Sequence, residues 1–252
     1  MALGVLGALA VSAGAQAAPD KDAVLAKTRE RIEATDFRAT GRLVKVGGDG
    51  QRTSYKLAMK GHWFPDGLRV MFEVTDPVAS RIKALLHMSA NGHATIEVAK
   101  SGAAASALPF ERWNEGLLGT DFNYEDILEA QYFWKGQELL PAAKCGARDC
   151  VNLKSVPGAD DRSHYSSVVS SIDRSIFFPV LVVKTVKGTE ARKEFSSEGL
   201  RQTSGVWSAS QVEVKVTGKL GSSLLIIERG SAKARLGPKD FAFNQPPMHG
   251  EE

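Results

Sequence analysis

Cysteine is scarce in this sequence, two residues in 252, so neither a disulfide framework nor a zinc site built from paired thiols can hold the chain together. Charge excess is also lacking. The 32 basic and 29 acidic residues are dispersed, which argues against a nucleic-acid binder with Lys and Arg gathered on one face. With 24 glycines and 10 prolines the chain is neither collagen-like nor of low complexity. Past Asp20 no apolar run approaches the roughly 20 residues of a membrane-spanning helix. Catalytic signatures are missing too: there is no G-x-S-x-G elbow, H-E-x-x-H pair, G-x-x-x-x-G-K-[ST] loop or G-x-G-x-x-G turn. Of the five histidines, His87 and His93 lie in neighbouring strand patterns and could meet across a hairpin, but two imidazoles make a poor metal site. No catalytic residue, metal site or cofactor is expected, and no enzyme.

What is present is a hydrophobic content of 43%, enough for a chain of this length to bury about 70–75% of its unfolded surface without covalent help. Residues 1–18 carry no charged side chain and close on Ala15-Gln16-Ala17, an apolar core followed by small-x-small. This pattern predicts a secretory signal peptide over residues 1–17, cut near Ala17, leaving 18–252 as a single domain in the periplasm. No Lys or Arg precedes the apolar core, so either the true start lies upstream or the signal is a poor one; an uncleaved anchor is the alternative to export. In an oxidising compartment Cys145 and Cys150 suit a disulfide across a tight turn eased by Gly146, the alternative being two free thiols.

Residues 19–36 predict a helix: Val24, Leu25 and Ile32 recur at helical spacing, Asp20 or Asp22 can cap its start, and Pro19 lies just before. From Phe37 the period drops to two. Gly47-Gly48-Asp49-Gly50 marks a hairpin turn. Tyr55, Leu57 and Met59 alternate with polar or small neighbours, as do Leu68, Val70, Phe72 and Val74. Residues 82–88 and 95–100 flank Asn91-Gly92, a strong hairpin signal. Residues 101–107 read as a loop, and 108–140 break the strand rhythm. Within that break Asn123 is placed to cap a short helix, with Asp126 three positions on and Phe122 and Ile127 as the flanking hydrophobic staple. Strand patterns resume at 151–156, 164–173, 177–186, 191–195, 200–203, 206–217 and 224–228, and the chain ends in a frayed terminus from Asn244.

This predicts a mainly β fold with helices (α+β): ten or eleven antiparallel strands in a curved half-barrel, closed by an N-terminal helix and a mid-chain helical lid. The large apolar side chains Trp63, Phe64, Phe72, Trp113, Phe133, Trp134, Phe177, Phe178 and Trp207 are candidate lining for its interior. Phe122, Ile127 and Leu128 are the apolar side of a candidate lid spanning 122–134, a fixed core plug being the alternative for this segment. For each of them, ordinary core packing is the alternative.

The run Gly119-Thr120-Asp121-Phe122-Asn123-Tyr124-Glu125-Asp126 resembles the Gly-Ser-Asp-Phe-Ser-x-x-Asp signature of periplasmic LolA-like, outer-membrane lipoprotein-sorting proteins. Thr120 and Asn123 stand at its two serine positions. Downstream, Asp161-Arg162 with Tyr165, then Ile172-Asp173, Pro179 and Trp207, are similar to the family's second half in their order. The resemblance implies an unclosed antiparallel barrel of the LolA/LolB type, plugged by helices around a cavity for acyl chains. It implies a carrier or chaperone for lipid or lipoprotein acyl chains, with an inner-membrane donor and an outer-membrane acceptor as partners and no nucleic acid. A non-catalytic accessory subunit of a resistance-nodulation-division type transporter is the other role it implies. No residue here matches the arginine with which dedicated lipoprotein carriers control their lid.

Overall fold

The computed structural model describes residues 20–101 and 103–245. The expected signal segment, residues 1–17, lies outside the described residues. The first element is α1, Lys21–Glu33, whose start Asp20 caps by accepting from the backbone N–H groups of Asp22 and Ala23. Val24, Leu25, Thr28 and Ile32 share its buried face, and the Thr28 hydroxyl is satisfied by the Val24 carbonyl at 2.9 Å.

A first meander follows: β1 (Asp36–Val46), β2 (Arg52–Phe64), β3 (Gly67–Asp76), β4 (Ile82–Ser89), β5 (Ala94–Lys100) and the two-residue β6 (Ser106–Ala107), which lies inside the stretch read as a loop. After a segment of short helical turns that includes α2 (Tyr124–Ile127), a second series begins with β7 (Gly136–Cys145), β8 (Arg148–Val156), β9 (Tyr165–Asp173) and β10 (Pro179–Val186). It continues through β11 (Arg192–Glu198), β12 (Arg201–Thr203), β13 (Val206–Ser208), β14 (Gln211–Val216) and β15 (Ser222–Ser231). Thirteen of these strands form one sheet in the order β6-β5-β4-β3-β2-β1-β15-β14-β11-β10-β9-β8-β7, while β12 and β13 form a separate hairpin. Every neighbour is also a near neighbour in sequence except at one seam, where β15 pairs antiparallel with β1 from Val46↔Ser222 to Arg38↔Ser231. That seam joins the two meanders.

One apolar cluster takes side chains from α1 (Val24, Ile32), from β3 and β4 (Phe72, Leu86), and from β8, β9 and β14 (Leu153, Ile172, Val214). Strands from both ends of the sheet order meet in it, so the sheet curves around its contents. The strict inward alternation of β4, with Ile82, Ala84, Leu86 and Met88 buried, is the period-two pattern that such a wrapped sheet needs.

Several expectations are corrected. The strand count exceeds the expected ten or eleven, because β6 lies in the stretch read as a loop, β7 lies partly in the stretch read as a break, and one expected strand is divided. Strand β7 is an edge strand with no fully buried residue and a register shift between Leu140 and Ala143 around Pro141, so it carries no alternation to detect. Residues 206–217 are two strands, parted where the Ser210 N–H turns back to the Glu198 carbonyl. Strand β10 starts at Pro179, since Phe177, at φ 51°, sits in the preceding turn. The expected frayed terminus falls mostly on residues 246–252, outside the described residues; up to Gln245 the chain is docked. Leu236 and Phe241 pack on Phe64 and Met71 on the convex face, and Lys83 Nζ donates to the carbonyls of Phe243 and Gln245 at 3.4 and 3.1 Å. His87 and His93 do not meet: His87 is opposite Thr95, and His93 lies in the turn facing Ser89. Cys145 and Cys150 are disulfide-bonded across the β7–β8 turn.

The seam constrains Gly41 most tightly. A Cβ there would lie 1.9 Å from the Ile226 carbonyl oxygen, at the register shift beside Thr40. Gly41→Ala is expected to destabilise the protein by about 2–3 kcal/mol, because the backbone of β15 has to move, with an unchanged urea m-value. Equilibrium urea unfolding measures both.

Candidate functional site

The segment from 108 to 135 sits inside the curve of the sheet. Its turns at Phe110–Arg112, Leu117–Gly119 and Ala130–Phe133 are 3₁₀ helices, and α2 is a single α-helical turn, so the expected lid is a compact plug more than a helix. The start of α2 carries the expected capping box. The Asn123 side chain accepts the Asp126 N–H at 2.9 Å, and the Asp126 carboxylate accepts the Asn123 N–H at 3.0 Å. The plug has two unlike sides.

Its polar side is bolted to the second half of the sheet. The Asp126 side chain, 1% exposed, accepts from Tyr165 Oη at 2.6 Å, from Lys184 Nζ at 3.1 Å, and from Lys193 Nζ. Lys184 and Lys193 are themselves buried and stand directly opposite each other in the β10–β11 register. Like charges in that position repel, and a carboxylate between them removes the conflict. Burial pushes the Asp126 carboxyl up, but the ammoniums of Lys184 and Lys193 outweigh it and hold the group below the ordinary carboxylate range. Burial lowers the Lys193 ammonium despite the attraction of Asp126, and burial raises Tyr165, with Asp126 adding to the effect. Next to this centre, Glu125 accepts from the Ser163 hydroxyl and from the His164 N–H at 3.1 Å, and lies 3.0 Å from the His164 ring. Asp121 takes the Ser223 hydroxyl at 2.9 Å and Lys219 Nζ at 3.2 Å, and its N–H donates to Ser223 Oγ.

The other side faces the first meander across an apolar cavity of about 40 Å³. The plug contributes Leu117, Leu118, Phe122 and Ile127; the sheet contributes Leu43, Leu57, Met59, Phe72, Val74, Ile82 and Leu225. Every lining side chain is apolar. Polar contact on this side is slight: the Tyr55 hydroxyl reaches the Leu118 carbonyl at 3.4 Å. Leu118 is held at φ 53° and Gly119 at φ 73°, a tight bend that turns the chain from the cavity toward the bolted side.

Of the side chains expected to line the interior, Phe72, Phe122 and Ile127 do so. Trp113 and Leu128 are buried in the same core, while Trp63, Phe133 and Phe177 are half-buried against it, Trp63 stacked on Phe133 at 5.9 Å. Trp134 belongs to a separate cluster with Tyr165 and Val168. Phe178 is buried under the Arg31 guanidinium, 5.2 Å from its ring. Phe64 lies on the convex face, because its parity along β2 places it against Phe241. Trp207 sits half-buried on the β12–β13 hairpin, away from the cavity. Sequence reasoning favoured aromatics and passed over the aliphatic positions that form most of the wall. It also missed Lys184 and Lys193, although a readable signal existed: each shares an inward strand face with an apolar residue two positions away, Val182 and Phe195.

A family model described as "-like: Uncharacterized protein" matches residues 110–245, more than half of the chain. No curated protein matches the sequence. A domain named for outer membrane lipoprotein sorting, from Vibrio parahaemolyticus, superposes with a TM-score of 0.78 at 17% identity, over 88% of this chain and 96% of that one. A DUF1329 family protein from Desulfovibrio piger also gives 0.78, at 12% identity over 88% and 97%. A LolA superfamily protein from Nitrosomonas europaea gives 0.69, at 16% identity over 89% and 98%. The fold is LolA-like.

Asp126→Asn leaves two buried ammoniums without their carboxylate and is expected to cost about 3–5 kcal/mol of stability at neutral pH. The native carboxyl binds its proton less tightly than the unfolded one, whose pKa is about 3.9, so the stability Asp126 contributes is present above that value and lost as pH falls through the native one. Urea unfolding at pH 5, about 3.5 and about 2.5 should show the decline in the parent protein and a shallower one in Asp126→Asn.

Proposed function

From the premise that the chain belongs to the "Uncharacterized protein"-like family whose model spans residues 110–245, and that its fold is LolA-like, we propose that it is a periplasmic, non-catalytic carrier that shields lipid or lipoprotein acyl chains on their way toward the outer membrane. The single observation that carries this reading is the wholly apolar lining of the cavity between the plug and the sheet. The relatives named for lipoprotein sorting and for the LolA superfamily support it.

The structure is then the closed state. A cavity of 40 Å³ is far below the roughly 300–1,000 Å³ of a ligand pocket, so an acyl chain enters only as the plug parts from the sheet. The apolar side permits that exchange. Contacts of Leu117, Phe122 and Ile127 with the sheet are non-directional, and hydrocarbon can replace them at little net cost. The driving force is the tail itself, about 0.8 kcal/mol per methylene, or on the order of 12 kcal/mol for sixteen carbons fully withdrawn from water. The mature domain, residues 18–252, would receive its cargo from an inner-membrane donor and surrender it to an outer-membrane acceptor.

The smallness of the cavity favours a second reading: a closed adaptor, the accessory subunit of an envelope transporter of the resistance-nodulation-division type, with its interior permanently filled. Gentle purification followed by mass spectrometry separates the two, since a carrier brings acyl lipid with it and an adaptor emerges empty. Met59→Trp, which fills the cavity from a half-buried position, is expected to weaken uptake of a fluorescent fatty acid at least tenfold while shifting the melting temperature by only a few degrees. Unchanged uptake in this variant would remove the cavity from the mechanism.

A further inference from the structure

The acyl-carrier reading leaves open what kind of head group travels with the tail, and the bolted side of the plug bears on it. Lys184 and Lys193 point into the sheet's interior from directly opposed positions, and the anion hydrogen-bonded to them both belongs to the plug and not to the sheet. Asp121, the other acidic group acting on Lys193, is already engaged by Ser223 and Lys219. The two ammoniums also lie over aromatic rings, Lys184 5.0 Å from the centroids of Tyr165 and Phe195 and Lys193 5.4 Å from that of Phe195, so little water solvates them. When the plug lifts, two cations are left facing each other in an apolar sleeve.

Resting on the carrier reading, we infer that the cargo is an anionic acyl lipid, whose carboxylate or phosphate head takes the place of the Asp126 carboxylate between Lys184 and Lys193.

The path for the tail is continuous with that head site. Phe195 follows Lys193 on the same inward face of β11, and its ring lies 5.9 Å from that of Phe122, which lines the cavity. From β11 across β14 to β15, where Leu225 lines the same cavity, is two strand spacings, about 10 Å. A head held by the lysines therefore directs its hydrocarbon along Phe195 and Phe122 into the apolar seam. The exchange also explains how a firmly bolted plug is released. A neutral lipid can displace the apolar contacts of Phe122 and Ile127 but leaves the lysines bound to Asp126. An anionic one substitutes for Asp126 and frees α2. Burial that depresses the Lys193 ammonium acts in the same sense, since a closely bound anion opposes that depression as Asp126 does.

The test compares ligands that share one chain. Isothermal titration of the delipidated protein with palmitate, 1-palmitoyl lysophosphatidate, monopalmitoylglycerol and acetate separates head from tail. Palmitate or the lysophosphatidate should bind at least tenfold more tightly than monopalmitoylglycerol, and acetate should not bind measurably. Which of the two anionic ligands binds more tightly identifies the head chemistry. In Asp126→Asn/Lys184→Met/Lys193→Met, which removes all three charges together, the ratio of anionic to neutral affinity should fall to about one while monopalmitoylglycerol still binds. Equal affinities in the parent protein, or a preference that survives in the triple variant, would overturn the inference and leave the carrier reading standing. The parent comparison decides the matter even where the variant fails to fold. Absence of binding by every acyl ligand would remove the carrier reading and this inference with it.

Discussion

A single buried carboxylate, Asp126, organises the interior of this protein. It lies between two lysines that the sheet's own register forces into opposition, and it accepts a third bond from Tyr165. A sheet bearing Lys184 and Lys193 at facing inward positions is internally frustrated until something anionic enters. The plug is what enters. Its capping box orients the same carboxylate, since Asp126 closes the helix start by accepting the Asn123 N–H. One side chain thus serves two demands at once, ending the orphaned amides of α2 and neutralising the sheet. That dual use explains why so short a helix is stable: four residues could not hold a helix on propensity alone.

The contrast between the two sides of the plug follows from this. Directional bonds gather toward β9, β10, β11 and β15, through Glu125, Asp126 and Asp121. Toward β1–β4 the contacts are aliphatic and aromatic, and packing there is imperfect by the volume of the cavity. Charged bonds fix position, whereas apolar contacts fix only composition. An interior built in this way has a defined closed state and an exchangeable wall. The first meander, meanwhile, is kept rigid from behind, because the C-terminal stretch packs Leu236 and Phe241 on Phe64 and Met71 and pairs Asp240 with Arg38 at 2.8 Å. A wall supported on its convex face can part from the plug without losing its own strand pairing.

Much of the fold was legible in the sequence because it is written in local signals. The period-two runs of β2, β3 and β4, the Asn91-Gly92 turn and the Asp20 and Asn123 caps each depend on neighbours within a few residues. What escaped depends on distant partners. The edge strand β7 has no buried face of its own, and the convex role of Phe64 is set by a tail nearly 180 residues further on. The wall of the cavity was misjudged for a related reason. Aromatic size suggests lining, yet large rings fill space, and Trp113 and Leu128 complete the core where no void remains. The void falls among Leu43, Leu57, Met59 and Val74, where medium-sized side chains from neighbouring strands leave a gap opposite a bend in the plug.

The acidic run at 121–126 shows how a resemblance and a physical account can meet on the same residues. The stretch Asp121-Phe122-Asn123-Tyr124-Glu125-Asp126 alternates between the two sides of the plug: Asp121, Asn123, Glu125 and Asp126 bind the polar half, while Phe122 lines the cavity and Tyr124 packs toward Phe72 at 6.3 Å. Such alternation is what a segment wedged between a charged wall and a greasy one requires. Exchange of any polar member for an apolar residue would strand a buried partner, Ser223, Tyr165, Ser163 or a lysine, and exchange of Phe122 would open the seam without loosening the bolt. The composition of this run is therefore constrained from both sides, and its constraint is the same whether the protein moves a lipid or only encloses its own plug.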